Sequence, residues 1–289
     1  MFNKKYKIIN DAPKEIDWEE YERITLKEYY GLLNSNSDDE KIFQKFFERN
    51  PAFVPGALEL FGQSGHYPYM HTLISQPIIG GPFRREPDFL WLANDSLTFS
   101  PVFIEIEKPS KRMFTALGDM TSDFSQAVGQ VYEWQAILNK PVNQLLFFDF
   151  FNIPIEEREK TFEPQFLLIY GRRIEYENNE LLSGKRAAAR KNKFDIMSYD
   201  RLRPIRDYYQ FTTCKVSNKT YNIINIPPTY RYRADCAEEL SMVRGFQEAI
   251  GKMENTSEER KNFLDKRYAY WREYGEMPKK GILVSGEGE

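Results

Sequence analysis

Apolar residues recur at helical spacing at Ile42, Phe43, Phe46 and Phe47, which lays one apolar stripe along a helix. Ser37-Asp-Asp-Glu40 ahead of it reads as a capping box: the hydroxyl caps backbone N–H groups and the glutamate reaches back. Asn50-Pro51 stops this helix, because proline disfavours helical geometry in the residue before it. Three strands are predicted next. They are Thr72–Ile79, ending at Gly80-Gly81; Pro87–Leu92, ending at the turn signal Ala93-Asn94-Asp95-Ser96; and the β-branched, aromatic Pro101–Lys108, ending at Pro109. The short link between the second and third implies a hairpin. A long helical pattern follows over Phe114–Leu138, with Leu117, Met120, Phe124, Val128 and Val131 on its buried face and Pro141 just beyond its end. Phe166–Tyr170, closed by Gly171, suits a buried strand.

The order helix, three strands, helix, strand predicts an α/β core around a mixed central sheet. A basic segment, Gly184–Lys193, precedes a further strand at Phe194–Met197 and the run Ser198–Leu202. Thr212–Arg233 reads as strand-rich. From Asp235 the chain reads as helical, with Leu240, Val243, Phe246 and Ile250 in phase, and a charged, aromatic helix spans Glu258–Tyr274. Tyr6–Ile9 is a candidate short strand, and the tail Gly281–Glu289 is expected to fray. This divides the chain into an N-terminal extension (1–36), a core (37–206) and a strand-rich, then helical C-terminal region (207–289).

Composition narrows the class. Of 289 residues 41% are hydrophobic and 15% aromatic, which excludes a disordered chain. No apolar run approaches the ~20 residues that span a bilayer, and Met1–Lys7 lacks the apolar stretch of a secretion signal. Two cysteines, Cys214 and Cys236, cannot build a disulfide framework or a four-ligand zinc site, so a reduced cytoplasm is expected. Two histidines, His66 and His71, weaken the case for His-based catalysis. Forty basic residues against 43 acidic ones give a net charge of −3, which argues against a general basic coat for nucleic acid. Carboxylates are the abundant candidate chemistry.

They have a pattern. Asp88 opens the second predicted strand, and after sixteen intervening residues Glu105-Ile-Glu107-Lys108 lies in the third. Side chains alternate along a strand, so Glu105 and Glu107 share a face that Lys108 does not. Hairpin pairing would bring Asp88 beside Glu105. Like charges packed that closely repel, and a divalent cation relieves them; oxygen-only ligands suit Mg²⁺ or Mn²⁺. Glu-Ile-Glu-Lys by itself describes the polar face of a half-exposed strand. Pro87-Asp88, the spacing and the element order favour the metal reading.

Pro87-Asp88 followed by Glu105-x-Glu107/Lys108 on this framework resembles the PD-(D/E)xK nuclease superfamily, whose core is restriction-endonuclease-like. More closely, the chain resembles the C-terminal nuclease domain of the Shedu (SduA) anti-phage defence family. The segments carrying the resemblance are Phe46-Phe-Glu-Arg-Asn-Pro51, Arg84-Arg-Glu-Pro-Asp-Phe89, Ile104-Glu-Ile-Glu-Lys-Pro109, Ser125-Gln-Ala-Val-Gly-Gln-Val-Tyr132 and Ile196-Met-Ser-Tyr-Asp-Arg-Leu202, within about 38–205. The resemblance implies a Mg²⁺-dependent endonuclease acting on double-stranded phage DNA, with Asp88 and Glu105 as metal ligands, and a homo-oligomer. The chain departs where the family's lysine stands: Glu107 fills that slot as water-activating base or further ligand, with Lys108 as the alternative. The departure also motivates two other readings, a catalytically inactive DNA-binding or sensor protein and a protein-interaction module.

The resemblance further implies a glutamine near the attacking water, Gln126 rather than Gln130, and an extra carboxylate from the first helix, for which Glu48 is a candidate although a surface role suits it better. Arg84 or Arg85 could bind the phosphate adjoining the scissile one. Lys185, Arg186, Arg190, Lys191 and Lys193, followed by Arg201, Arg203 and Arg206, form a local basic patch, the expected footprint of DNA-backbone contacts. Tyr132, Trp134, His66 and His71 are read as structural.

Overall fold

The computed structural model describes residues 3–58, 66–79, 86–190, 193–284 and 286–289. The predicted hairpin is present. Strand β1 (Thr72–Ser75) pairs antiparallel with β2 (Phe89–Trp91), which pairs antiparallel with β3 (Val102–Ile106). Then β3 pairs parallel with β4 (Gln165–Ile169), and β4 with β5 (Phe194–Met197). The sheet continues on its other side. There β1 lies parallel to β6 (Thr212–Ser217), β6 antiparallel to β7 (Thr220–Asn225), and β7 parallel to β8 (Val243–Arg244). The result is one mixed eight-stranded sheet, ordered β8-β7-β6-β1-β2-β3-β4-β5. The region after residue 206 therefore extends the sheet that carries the core.

Alternation along the strands builds a core on each face. Phe89, Trp91, Val102, Ile104, Ile106, Leu167 and Ile169 point toward α1 (Trp18–Ser35) and α2 (Glu40–Arg49), meeting Tyr29, Phe43, Phe46 and Phe47. Leu90, Phe103, Phe166 and Leu168 point the other way, toward α3 (Ser122–Leu138) and α4 (Pro141–Phe150). After α5 (Glu180–Ala189) the chain runs to the short helices α6 (Ala237–Met242) and α7 (Phe246–Gly251), and the long α8 (Glu258–Glu276). No described helix is long and apolar enough to cross a membrane.

Several expectations are corrected. The N-cap of α2 is Asp39, whose carboxylate accepts from Lys41 N–H, so the capping box Ser37–Glu40 does not form and Glu40 is released from it. Strand β1 ends at Ser75, where Gln76 turns to φ 49°. Helix α3 starts at Ser122, capped by Thr121, because the preceding residues turn at Gly118 (φ 83°). Leu117 and Met120 are consequently exposed. Pro141 opens α4, a position where its missing N–H costs nothing. The in-phase run from Leu240 to Ile250 is broken by β8 and by Gly245 at φ 72°. Tyr6–Ile9 forms no strand, although Tyr6 is buried. The end of the tail is held, not frayed: Glu289 is buried and accepts from Arg267, Trp271 Nε1 and Ile9 N–H.

Candidate functional site

The hairpin register sets the site. Phe89 pairs with Ile104, and one further step places Asp88 against Glu105. Both project from the α3 face, at the carboxyl end of β3. In open α/β sheets, ligands bind in the crevice beyond the strands' carboxyl ends. Asp88 Oδ2 accepts from Ile106 N–H at 2.8 Å, which locks it across the hairpin. Glu105 Oε1 accepts from Gln130 Nε2 of α3 at 2.8 Å. Glu105 Oε2 is buried and has no hydrogen-bond partner. A buried polar oxygen left in this state costs about 1–3 kcal/mol.

The charges confirm the crowding. Burial raises the Asp88 carboxyl well above the ordinary range; the Ile106 N–H opposes this, and the charges of Glu40 and Glu107 add to it. Burial raises Glu105 further, followed by the charges of Asp88, Glu107 and Glu40. Glu40 is raised by burial and by Glu107, while Lys111 and Lys108 lower it. Two carboxyl groups thus face each other, each eased by one backbone N–H (Ile106 for Asp88, Asp88 for Glu105), and two more stand within electrostatic range.

Glu107 shares the face of Glu105, as strand parity requires, but its Oε2 accepts from Lys111 Nζ at 2.6 Å. Among the described residues no three His, Cys, Asp or Glu side chains gather as a ready-made metal cage. The expected trio does not gather: Asp88 and Glu105 face each other, and Glu107 is drawn off by an ammonium group. Such a pair still suits Mg²⁺, which is commonly bound by one or two carboxylates together with substrate phosphates. The unpartnered Glu105 Oε2 is the atom that fits a cation.

Lys108 points away, its Nζ 3.8 Å from Asp38 Oδ1. The glutamine at the site is Gln130; Gln126, one turn earlier on the same helix face, is exposed. Glu48 accepts from Ser75 Oγ at 2.5 Å and serves β1 rather than the carboxylate pair. Arg84, Arg85 and Lys191 lie outside the described residues. The described members of the Lys185–Lys193 run have internal partners. Lys185 donates to Gly118 O, Arg186 to Ile196 O, Arg190 pairs with Asp195, and Lys193 lies 3.6 Å from Glu163. Trp134 is buried, Tyr132 packs edge-on against Phe194, His66 lies by Asn94, and His71 pairs with Glu239.

Sequence reasoning passed over Glu40 and Lys111. The capping-box reading accounted for Glu40. For Lys111 the available signal was Pro109-Ser110, a turn that brings the chain back after the strand.

Residues 37–203 match the family model described as Shedu protein SduA, C-terminal. The match spans more than half of the chain, which belongs to that family; membership implies a role in anti-phage defence. No curated protein matches the chain.

Proposed function

We propose that this protein is a Mg²⁺-dependent endonuclease that nicks or cleaves double-stranded DNA in anti-phage defence, on a restriction-endonuclease-like core. The observation that carries the reading is Glu105 Oε2: a buried carboxylate oxygen without a partner, beside a second buried carboxylate, Asp88. Asp88 and Glu105 would hold the metal, with Mn²⁺ as a substitute. When bound, the ion supplies charge neutralisation for the scissile phosphate and a more acidic water.

The chain's own residues do the rest. The Ile106 N–H fixes Asp88, and Gln130 fixes Glu105. Glu107, on the same face, takes the proton of the attacking water. The water oxygen bonds to phosphorus while the bond from phosphorus to the leaving sugar oxygen breaks, and solvent protonates that oxygen.

Supercoiled plasmid incubated with and without Mg²⁺ or Mn²⁺ tests this. The expected result is metal-dependent nicking by the wild type and none by Asp88→Ala. Cutting that survives Asp88→Ala would overturn the site. A gel shift without cutting would leave a DNA-binding or sensor protein. Neither binding nor cutting would leave an interaction module.

A further inference from the structure

Position 107 holds a glutamate, and parity turns Lys108 away, so β3 itself brings no positive charge to four acidic groups that burden one another. The loop beyond β3 returns one. Lys111 N–H bonds to Lys108 O at 3.1 Å, closing a turn over Pro109-Ser110. Ser110 N–H bonds to Ser37 O at 3.0 Å, and its hydroxyl donates to Asp38 Oδ1 at 2.8 Å. On the far side Arg112 O accepts from the Thr121 hydroxyl at 2.8 Å. Gly171, at φ 61°, completes the seat: a Cβ there would stand 2.7 Å from Lys111 O. The backbone of Lys111 is thus fixed from the α1–α2 loop, from the start of α3 and from the end of β4. Its ammonium reaches Glu107 Oε2 at 2.6 Å and lies 3.9 Å from Asp123 Oδ2. The pair is sheltered, with side chains 27% and 16% exposed.

A sheltered ion pair on a pinned turn serves either to hold the loop or to aim the carboxylate. The loop is already held by the hydrogen bonds of Ser110 and Arg112 and by the contact with Gly171, none of which involves the ammonium. The Lys111 side chain is left with the second task.

We propose that Lys111 is a positioning residue that takes the place of the lysine missing at 107: it holds Glu107 on the water side of the site and keeps it from closing on Asp88 and Glu105 as a third metal ligand. This rests on the nuclease reading above. Lys111 transfers no proton; it acts through Glu107. A structural salt bridge and a positioning one differ in what their loss does. Losing a structural bridge lowers the melting temperature. Losing this one misplaces Glu107, which slows turnover, and frees an anionic ligand, which tightens metal binding.

The test uses the full chain as wild type, Lys111→Met and Lys111→Arg. Plasmid nicking in Mg²⁺ gives kcat and KM, calorimetric titration with Mn²⁺ alone gives metal affinity, and thermal melting gives stability. For Lys111→Met, kcat is expected to fall about 100-fold, in the range by which misplacing a proton-transfer group slows catalysis. KM for DNA stays within about threefold, because the group acts on the chemical step. Mn²⁺ binding tightens about tenfold, since an opposing cation is removed and a carboxylate freed. Lys111→Arg, which restores the cation, recovers most of kcat. Near wild-type cutting by Lys111→Met, or Mn²⁺ affinity that is unchanged or weaker, overturns the proposal. So does a Lys111→Met protein that melts far below the wild type, since that outcome assigns the pair to structure. If the wild type binds Mn²⁺ but cuts no DNA, the nuclease reading fails, and the Mn²⁺ titration alone decides the placement of Glu107.

Discussion

Glu289 and Glu105 are both carboxylates inside the protein, and they are treated in opposite ways. Glu289 is saturated: Oε1 accepts from Arg267 and from Trp271 Nε1, and Oε2 from Ile9 N–H. Charge, hydrogen bonds and packing agree there, and the N-terminal residues, α8 and the tail are tied together. Glu105 accepts from the Gln130 amide and from the Asp88 backbone N–H, faces the Asp88 carboxyl, and keeps one buried oxygen without a partner. Burying a carboxylate is costly unless it is paired and hydrogen-bonded. The fold meets that requirement at one end and leaves it unmet at the other, and unmet requirements of this kind concentrate at functional sites.

The largest effect expected from this contrast is a crossover. Glu105→Gln should abolish metal-dependent nicking, by about 10³-fold or more on the usual scale of a lost metal function. It should leave the melting temperature unchanged or raised, because a neutral isostere replaces a carboxyl whose ionised form burial disfavours. Glu289→Ala should do the reverse. It orphans Arg267 and the Trp271 N–H, so the protein should lose about 3 kcal/mol, while nicking persists at temperatures where the fold survives. Urea unfolding and plasmid assays on both variants check this. A Glu289 variant that is stable but inactive would break the comparison.

How far the sequence carried the comparison depends on the range of each interaction. Asp88 opposite Glu105 was legible because strand parity and a hairpin are local rules, and the register followed them. The face of Glu107 and the turning away of Lys108 followed from the same alternation. Glu40 was hidden by a competing local rule, since Ser37–Glu40 satisfies a capping box on paper while Asp39 takes the cap in the fold. The start of α3 was overrun because Leu117 and Met120 keep helical phase through a glycine turn. The locked tail was illegible: Glu289 meets Arg267 and Trp271 from α8 and Ile9 from the chain's beginning, and no spacing in a sequence reports such contacts. The extension of the core sheet by β6, β7 and β8 is long-range in the same way.

A smaller effect concerns metal and pH together. The folded-state pKa values of Asp88 and Glu105 are raised, chiefly by burial. The fold therefore binds protons that the unfolded chain releases near the ordinary carboxylate value of about 4. The stability they contribute is complete below that value and is lost as pH rises through the raised folded values. Metal-free protein should melt progressively lower from about pH 5.5 to pH 8.5. Mg²⁺ should raise the melting temperature, more at the upper end than at the lower, by mass action on the folded state. Glu105→Gln should flatten the pH dependence and remove the Mg²⁺ response. A wild type indifferent to Mg²⁺ at pH 8.5 would mean that the unpartnered oxygen is not waiting for a cation.

The finest discrimination lies on one face of α3. Gln126 and Gln130 share that face by spacing, yet only Gln130 comes level with the end of β3 and donates to Glu105, while Gln126 is exposed. Gln130 holds one oxygen of Glu105 and so aims the other. Its loss should cost less than loss of the carboxylate, because a neutral hydrogen bond contributes about 1 kcal/mol. Gln130→Ala is therefore expected to slow nicking about tenfold, with weaker Mg²⁺ dependence at low metal, and Gln126→Ala to stay within about twofold. Steady-state nicking across a Mg²⁺ series separates them. If Gln126→Ala proved the slower of the two, the attacking water would lie further toward solvent than Glu105, and the water-side role would move from the strand end to the first turns of the helix.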